Sequence, residues 1–166
     1  MSEETVIQSK EDRLKEFLSI KDYEGKVVYT TTQEELEDVL VNILATGSYT
    51  KTFDLFKGKI SLTYQSISEE DRMSGYKFMN EFTEKNDKVS RIEYDSYMSK
   101  INIALQLVRV NINKVTTNIS QGSLEDRILL LTKTPEEQIR LYSKYLSIFA
   151  NITSKAFMSE DILKNS

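Results

Sequence analysis

The sequence predicts a mainly α, α+β protein in which a helical bundle surrounds one long central helix and carries a single β-hairpin. Three observations lead to this fold class. Residues 94–119 hold apolar residues at alternating steps of four and three, residues 49–67 alternate around a glycine, and several helix-start signals divide the rest of the chain. With 166 residues, of which 39% are hydrophobic, the chain can bury a core, so we expect one domain spanning residues 1–166.

The predicted central helix covers residues 94–119. Its apolar seam consists of Tyr94, Met98, Ile101, Leu105, Val108, Ile112, Val115 and Ile119. This spacing keeps one side of a helix apolar over several turns. A strand is the alternative for the second half, where Val108, Val110 and Ile112 alternate with polar residues. We favour the helix because it accounts for more of the stretch. We also favour packing within the chain over a free coiled coil, because the flanking positions lack the Glu/Lys ladder that selects coiled-coil partners.

The acidic N-terminal part, residues 1–48, is predicted to be helical. We expect a short amphipathic helix over Ser9–Ile20, followed by either a short strand or an extended linker over Tyr23–Thr31. Thr32 and Glu35 match a capping box, in which each side chain bonds a free backbone N–H of the other residue. A second helix therefore begins there and ends before Gly47, because glycine readily adopts the left-handed conformation that terminates helices.

Residues 49–67 predict a β-hairpin that turns at Lys57 and Gly58. The predicted cross-strand pairs are Leu55 with Ile60, Phe53 with Leu62 and Lys51 with Tyr64. Lys-Gly is not the preferred Asn-Gly turn, so a bulge at Gly58 or a register shifted by one residue stays open. A lone hairpin is marginal in water, so its apolar face should pack on helices or its edge should accept a partner strand. The candidate partner interface is Phe53, Leu55, Ile60, Leu62 and Tyr64.

Residues 68–158 form the predicted helical body. Ser68 precedes three acidic residues and should cap a helix to about Lys85, and Ser123 should cap a short helix. Thr134-Pro135-Glu136-Glu137 is the strongest start signal, since it combines a capping threonine with a proline at the first helical position. The last helix should reach about Met158, leaving residues 159–166 as a frayed tail.

Composition excludes several classes of protein. The chain has no cysteine, so it forms neither disulfides nor thiolate metal sites, and no stretch approaches the roughly eighteen apolar residues of a membrane helix. The acidic N-terminus lacks the apolar core of a signal peptide, so we expect a cytoplasmic protein. The first forty residues hold eleven acidic and five basic residues, a balance that disfavours nucleic-acid binding there.

The sequence predicts a non-enzymatic protein that uses no cofactor and no metal. Histidine is absent, which removes the usual general base and the commonest metal ligand, and no glycine-rich phosphate loop is present. The acidic clusters lie at predicted helix starts, where the helix dipole favours them without any catalytic role. These clusters are Glu34/Glu35, Glu69/Glu70/Asp71, Glu125/Asp126 and Glu136/Glu137.

Two further groups have a structural and a functional interpretation. The aromatic sets Tyr76/Phe78/Phe82 and Tyr142/Tyr145/Phe149 would most often be core, although they could line a ligand pocket or stack on bases. Lys57 and Lys59 flank the predicted turn, and Lys51 lies nearby. The three lysines could contact a phosphate group, but such residues are more commonly part of a solvated turn.

The run Phe53–Glu70 resembles a pattern found in tail and baseplate assembly chaperones and small structural proteins of tailed bacteriophages. In that pattern a short β element, F-x-L-x-G-K-[IV]-x-[LV]-x-[FY]-x-[ST]-[LI]-[ST]-x-E-[ED], precedes a mostly helical body. The match covers about eighteen of 166 residues, and Gln65 stands where the pattern usually has arginine. The resemblance implies a protein that binds a tail, hub or tape-measure component in the host cytoplasm or remains in the virion.

Three functional hypotheses follow. The first is a phage assembly or structural protein that docks through its hairpin. The second is a bacterial helical adaptor or self-assembling bundle whose seam is partly shared between subunits. The third, disfavoured by charge, is a nucleic-acid-binding regulator. We expect protein partners or a homo-oligomer, and no membrane association.

Overall fold

Six helices and six strands make up the described part of the chain, for which a computed structural model provides the backbone of residues 3–163 and the side chains of residues 10–159. The helices are α1 (Glu3–Leu18), α2 (Gln33–Thr46), α3 (Glu69–Lys85), α4 (Arg91–Gln106), α5 (Leu124–Thr132) and α6 (Glu136–Leu163). The strands are β1 (Ser19–Lys21), β2 (Val27–Thr30), β3 (Thr50–Leu55), β4 (Ile60–Gln65), β5 (Leu107–Ile112) and β6 (Val115–Asn118). The α+β class predicted from the sequence is confirmed.

The prediction of one long central helix over residues 94–119 is wrong. Helix α4 ends at Gln106, Leu107 is extended with φ −77° and ψ 108°, and the chain continues as β5 and β6. The seam is divided accordingly, with Tyr94, Met98, Ile101 and Leu105 on α4, Val108 and Ile112 on β5, Val115 on β6 and Ile119 after it. The β-branched residues after Gln106 favour a strand, and β4 supplies backbone hydrogen bonds along β5. The protein is therefore not a bundle around one central helix, and it has more than one β-hairpin.

The predicted helix starts are largely confirmed. Ser68 and Ser123 each form a complete capping box with the acidic residue three positions later, and Ser90, which was not predicted as a cap, forms a third box with Glu93. At α2 the Thr32 hydroxyl accepts a hydrogen bond from the Glu35 backbone N–H.

The outer elements differ from the prediction in detail. Helix α1 begins at Glu3, six residues before the predicted start at Ser9. It ends at Leu18, two residues before the predicted end, because Ile20 joins strand β1. Residues 27–30 form a strand rather than a linker. Helix α6 begins at Glu136, one residue after the proline that was predicted to occupy its first position. It continues beyond Met158 to Leu163, so the predicted frayed tail is helical to that point and otherwise lies outside the described residues.

The chain forms two compact units. One combines Met1–Thr46 with Ile148–Ser166, and the other is Gly47–Ser147, so the second boundary lies within α6. The boundary after Thr46 lies close to residue 48, the predicted end of the acidic N-terminal part.

In the first unit, β1 pairs with β2 in antiparallel register, Ile20 opposite Tyr29. The Glu35 carboxylate accepts hydrogen bonds from Thr31 Oγ1 at 2.7 Å and from Tyr29 Oη at 3.1 Å, which ties the start of α2 to the strand before it. Lys155 Nζ donates to the Phe17 carbonyl at 2.6 Å and lies 4.8 Å from the centroid of the Phe17 ring. Burial lowers the pKa of Lys155, while the charge of Glu16 opposes that shift.

In the second unit, the strands form an antiparallel sheet in the order β3-β4-β5-β6, with α3 and α4 inserted between β4 and β5. Helices α3 and α4 approach closely at Gly75, where an added Cβ would lie 2.9 Å from Leu105 Cδ1 and 3.1 Å from Ile101 Cγ2. The buried hydrophobic side chains of this unit are Phe53, Leu62, Tyr64, Met79, Ile101, Ile103, Ala104, Leu107, Val110, Ile119, Ile128, Leu131, Tyr142 and Leu146.

None of the helices in the described part of the chain is long and apolar enough to cross a bilayer.

Candidate interaction surface

The first hairpin has the register that the sequence predicts. Leu55 pairs with Ile60, Phe53 with Leu62 and Lys51 with Tyr64. The connecting residues are 56–59, and the Lys59 N–H donates to the Phe56 carbonyl at 3.3 Å. Phe56, Lys57 and Gly58 have φ values of 51°, 56° and 79°, so the turn consists of three successive left-handed residues. The alternative register, shifted by one residue, is excluded.

Most of the candidate partner interface on this hairpin is core. Phe53, Leu62 and Tyr64 are buried, and only Leu55 and Ile60 are half-exposed. Tyr64 Oη donates to the Tyr142 carbonyl at 2.8 Å. The Phe53 ring lies 5.2 Å from the Tyr145 ring. The hairpin therefore packs on the first part of α6, and three of its five proposed contact residues hold the unit together.

The second hairpin joins β5 and β6 through Asn113 and Lys114. Ile112 pairs with Val115, and both turn residues have positive φ, 49° and 70°, as a type I′ turn requires. The Asn113 N–H donates to the Lys59 carbonyl at 2.8 Å, so the two turns are joined at one end of the sheet. We call residues 56–59 and 113–115 the turn end.

The turn end exposes apolar side chains among lysines. Phe56 is 70% exposed and Val115 is 69% exposed. Lys57, Lys59 and Lys114 are also exposed, and no acidic residue lies within the two segments. The surface is therefore apolar and cationic.

Backbone strain is concentrated at the same place. Among the residues that the structure describes, four non-glycine residues have positive φ: Phe56, Lys57, Asn113 and Lys114. For residues other than glycine and asparagine, this conformation costs about 1 kcal/mol or more. Such strain persists where the surrounding structure imposes it and is common at binding sites.

Strand β6 forms one edge of the sheet. Its four residues are all exposed, and β5 is its single neighbour in the described sheet. On the polar face, Thr52 Oγ1 and Thr63 Oγ1 lie 2.9 Å apart, and the buried Asn111 Oδ1 accepts no hydrogen bond from the described residues. Thr63 on this face is buried, so the exposed edge of β6 is the part of the sheet to which another strand could add.

Sequence reasoning identified part of the turn end. Lys57, Lys59 and Gly58 were recognised as turn residues, but Lys51 lies away from the turn, 5.1 Å from the Phe53 ring centroid. Phe56, Asn113 and Lys114 were missed. Asn113 was the available signal, since asparagine tolerates positive φ, but it lay inside the predicted helix.

Two members of the acidic clusters, Asp71 and Asp126, accept hydrogen bonds from the backbone N–H of the capping serine, as Glu93 does at α4. Hydrogen bonds from the Ser90 side chain and backbone lower the pKa of Glu93, and those from Ser123 lower the pKa of Asp126. Within the described residues, no three acidic side chains converge as metal ligands would.

Comparison of the chain with protein-family models, curated protein sequences and solved structures finds no match.

Proposed function

We propose that this chain is a non-enzymatic phage assembly or virion structural protein that binds a tail, hub or baseplate protein through its turn end. The observation that carries the proposal is the joining of two strained turns that expose Phe56 and Val115. The resemblance of Phe53–Glu70 to tail assembly proteins includes the first of these turns. The protein would act in the cytoplasm of the producing cell or remain in the finished particle.

The chemistry of the turn end defines the partner surface. An exposed phenylalanine on a constrained backbone loses little conformational entropy when it enters a pocket, so it can act as an anchor. The three lysines then favour a pocket with an acidic rim, because charge complementarity speeds association and selects the partner. We therefore expect an apolar pocket bordered by Asp or Glu on the tail component.

The test is co-purification of the tagged protein from a lysate of its native source, at low and high salt, with mass spectrometry of what is recovered. Phe56→Ser should lose tail or baseplate components, since it removes the anchor while leaving the core intact. Tyr23→Ser is the matched control, because Tyr23 is an exposed aromatic outside the turn end, 95% accessible against 70% for Phe56.

Retention of the same components by Phe56→Ser would reject the turn end as the docking surface. Recovery of nucleic acid with a steep salt dependence would reject the assembly role in favour of a regulator.

The second candidate is a self-assembling protein, favoured by the exposed edge of β6. A second copy could add its own β6 in antiparallel register, since an edge strand offers unpaired backbone groups. Sedimentation velocity would then detect a concentration-dependent dimer, which Thr116→Lys should weaken by placing like charges near each other. A monomer at all concentrations would contradict this candidate.

A further inference from the structure

A groove of about 290 Å³ lies between α3, α4 and α5 in the second unit. Aromatic and aliphatic side chains form most of its wall: Phe78, Phe82, Tyr97, Ile128 and Leu129. Phe78 and Phe82 belong to an aromatic set for which core was the more common expectation, yet both are half-exposed and line this groove.

The apolar wall is ordered but incompletely covered. The Phe82 and Tyr97 rings stack at a centroid distance of 4.0 Å and an interplanar angle of 15°. Leu129, on α5, is 53% exposed where it lines the groove. A rigid aromatic pair beside an exposed leucine offers a surface along which an apolar stem can pack.

Two carboxylates lie beside this wall. Burial raises the pKa of Tyr97, and the negative charges of Glu125 and Glu81 raise it further, so both carboxylates act on the Tyr97 hydroxyl. Lys85 also lines the groove. With two carboxylates and one ammonium group in its lining, the groove carries a net negative charge.

Helix capping does not explain Glu81. Glu125 lies in the first turn of α5, where the helix dipole favours an acid, but Glu81 lies well inside α3 and is half-buried. Neither carboxylate forms a hydrogen bond or an ion pair with any residue that the structure describes. Both carboxylates can therefore accept hydrogen bonds from a cationic ligand.

We propose that the groove binds an arginine or lysine side chain of a partner protein, with the apolar stem along Phe82 and Leu129 and the charged head between Glu81 and Glu125. The inference is independent of the turn end and of the proposed function. A long basic side chain supplies both an apolar stem and a cation. A single side chain also suits the volume, which lies at the lower limit of the roughly 300–1,000 Å³ of small-molecule pockets.

The experiment is an NMR titration of the ¹⁵N-labelled full chain with acetyl-Leu-Arg-Leu-amide. The matched probe replaces arginine by citrulline, which has nearly the same shape and no charge. We expect the arginine peptide to shift the amide resonances of Glu81, Tyr97 and Leu129 and to bind about tenfold more tightly than the citrulline peptide.

The matched variants separate the charge from the fold. Glu81→Gln with Glu125→Gln should weaken the arginine peptide about fivefold or more, whereas Glu84→Gln, an exposed residue of the same helix outside the lining, should leave its Kd unchanged. Equal binding of both peptides, or an unchanged Kd in the double variant, would overturn the proposal. Agmatine binding as tightly as the peptide would also overturn it, in favour of a site for free amines.

Discussion

The two hairpins of the four-stranded sheet illustrate different ways in which a sequence specifies β-structure. The β3–β4 hairpin buries Phe53, Leu62 and Tyr64, and its pairing follows from its own alternation. The β5–β6 hairpin has a favourable two-residue turn but an outer strand that is exposed at every position. Both strands of the first hairpin bury side chains. In the second, only β5 does so, through Leu107 and Val110, and β6 is held by the turn and by pairing with β5. The difference shows that a local pattern reveals a strand best when one of its faces is buried.

The largest difference between the hairpins should appear when a side chain is shortened. Leu62→Ala on β4 removes a fully buried side chain and should lower the free energy of unfolding by about 3 kcal/mol. Thr117→Ala on β6 is exposed and should change it by less than about 0.5 kcal/mol. Urea denaturation monitored by circular dichroism measures both. Equal losses would mean that β6 contributes to the core as β4 does.

A smaller effect should follow removal of the one described hydrogen bond from β4 to α6. Tyr64→Phe leaves the Tyr142 carbonyl without the phenol donor, at a cost of about 1–2 kcal/mol. The unfolding free energy at neutral pH measures this cost. An unchanged value would show that the carbonyl finds another donor.

The same variant should change stability at alkaline pH. Burial raises the pKa of Tyr64 above its usual value, so above about pH 10 the unfolded state releases this proton while the folded state keeps it. Stability should therefore fall as pH rises through that range. Tyr64→Phe should reduce the slope, and a residual slope should persist because burial also raises the pKa of Tyr142. An unchanged slope between pH 9.5 and 11 would contradict the buried, protonated phenol.

The smallest effects should come from the turns and should have the opposite sign. Lys114→Gly creates an Asn-Gly turn at φ 70° and should stabilise the protein by about 0.5–1 kcal/mol. Lys57→Gly, at φ 56°, should do the same in the first hairpin. Thermal denaturation compares the two. A loss of stability in either variant would show that the lysine side chain contributes more than the strained backbone costs.

Particular residues show where sequence reasoning succeeded and where it failed. Capping at Ser68 and Ser123 was predictable because each box depends on residues three positions apart. Residues 107–118 were misread because their seam continued at helical spacing, and the deciding interaction is pairing with β4, more than forty positions earlier in the chain. The turn end was only half recognised for the same reason, since Asn113 and Lys59 meet through that pairing.

The sequence by itself determined the starts of α2, α3, α5 and α6 to within a residue, the register of the first hairpin and the α+β class, because these depend on residues that are neighbours along the chain. Only the tertiary structure decided that the seam is divided between a helix and two strands, and that most of the proposed interface is core. It also decided that two strained turns are joined and that Glu81 and Glu125 flank the same tyrosine. Each of these depends on burial or pairing between distant segments, and local periodicity carries no information about which distant segment will be the partner.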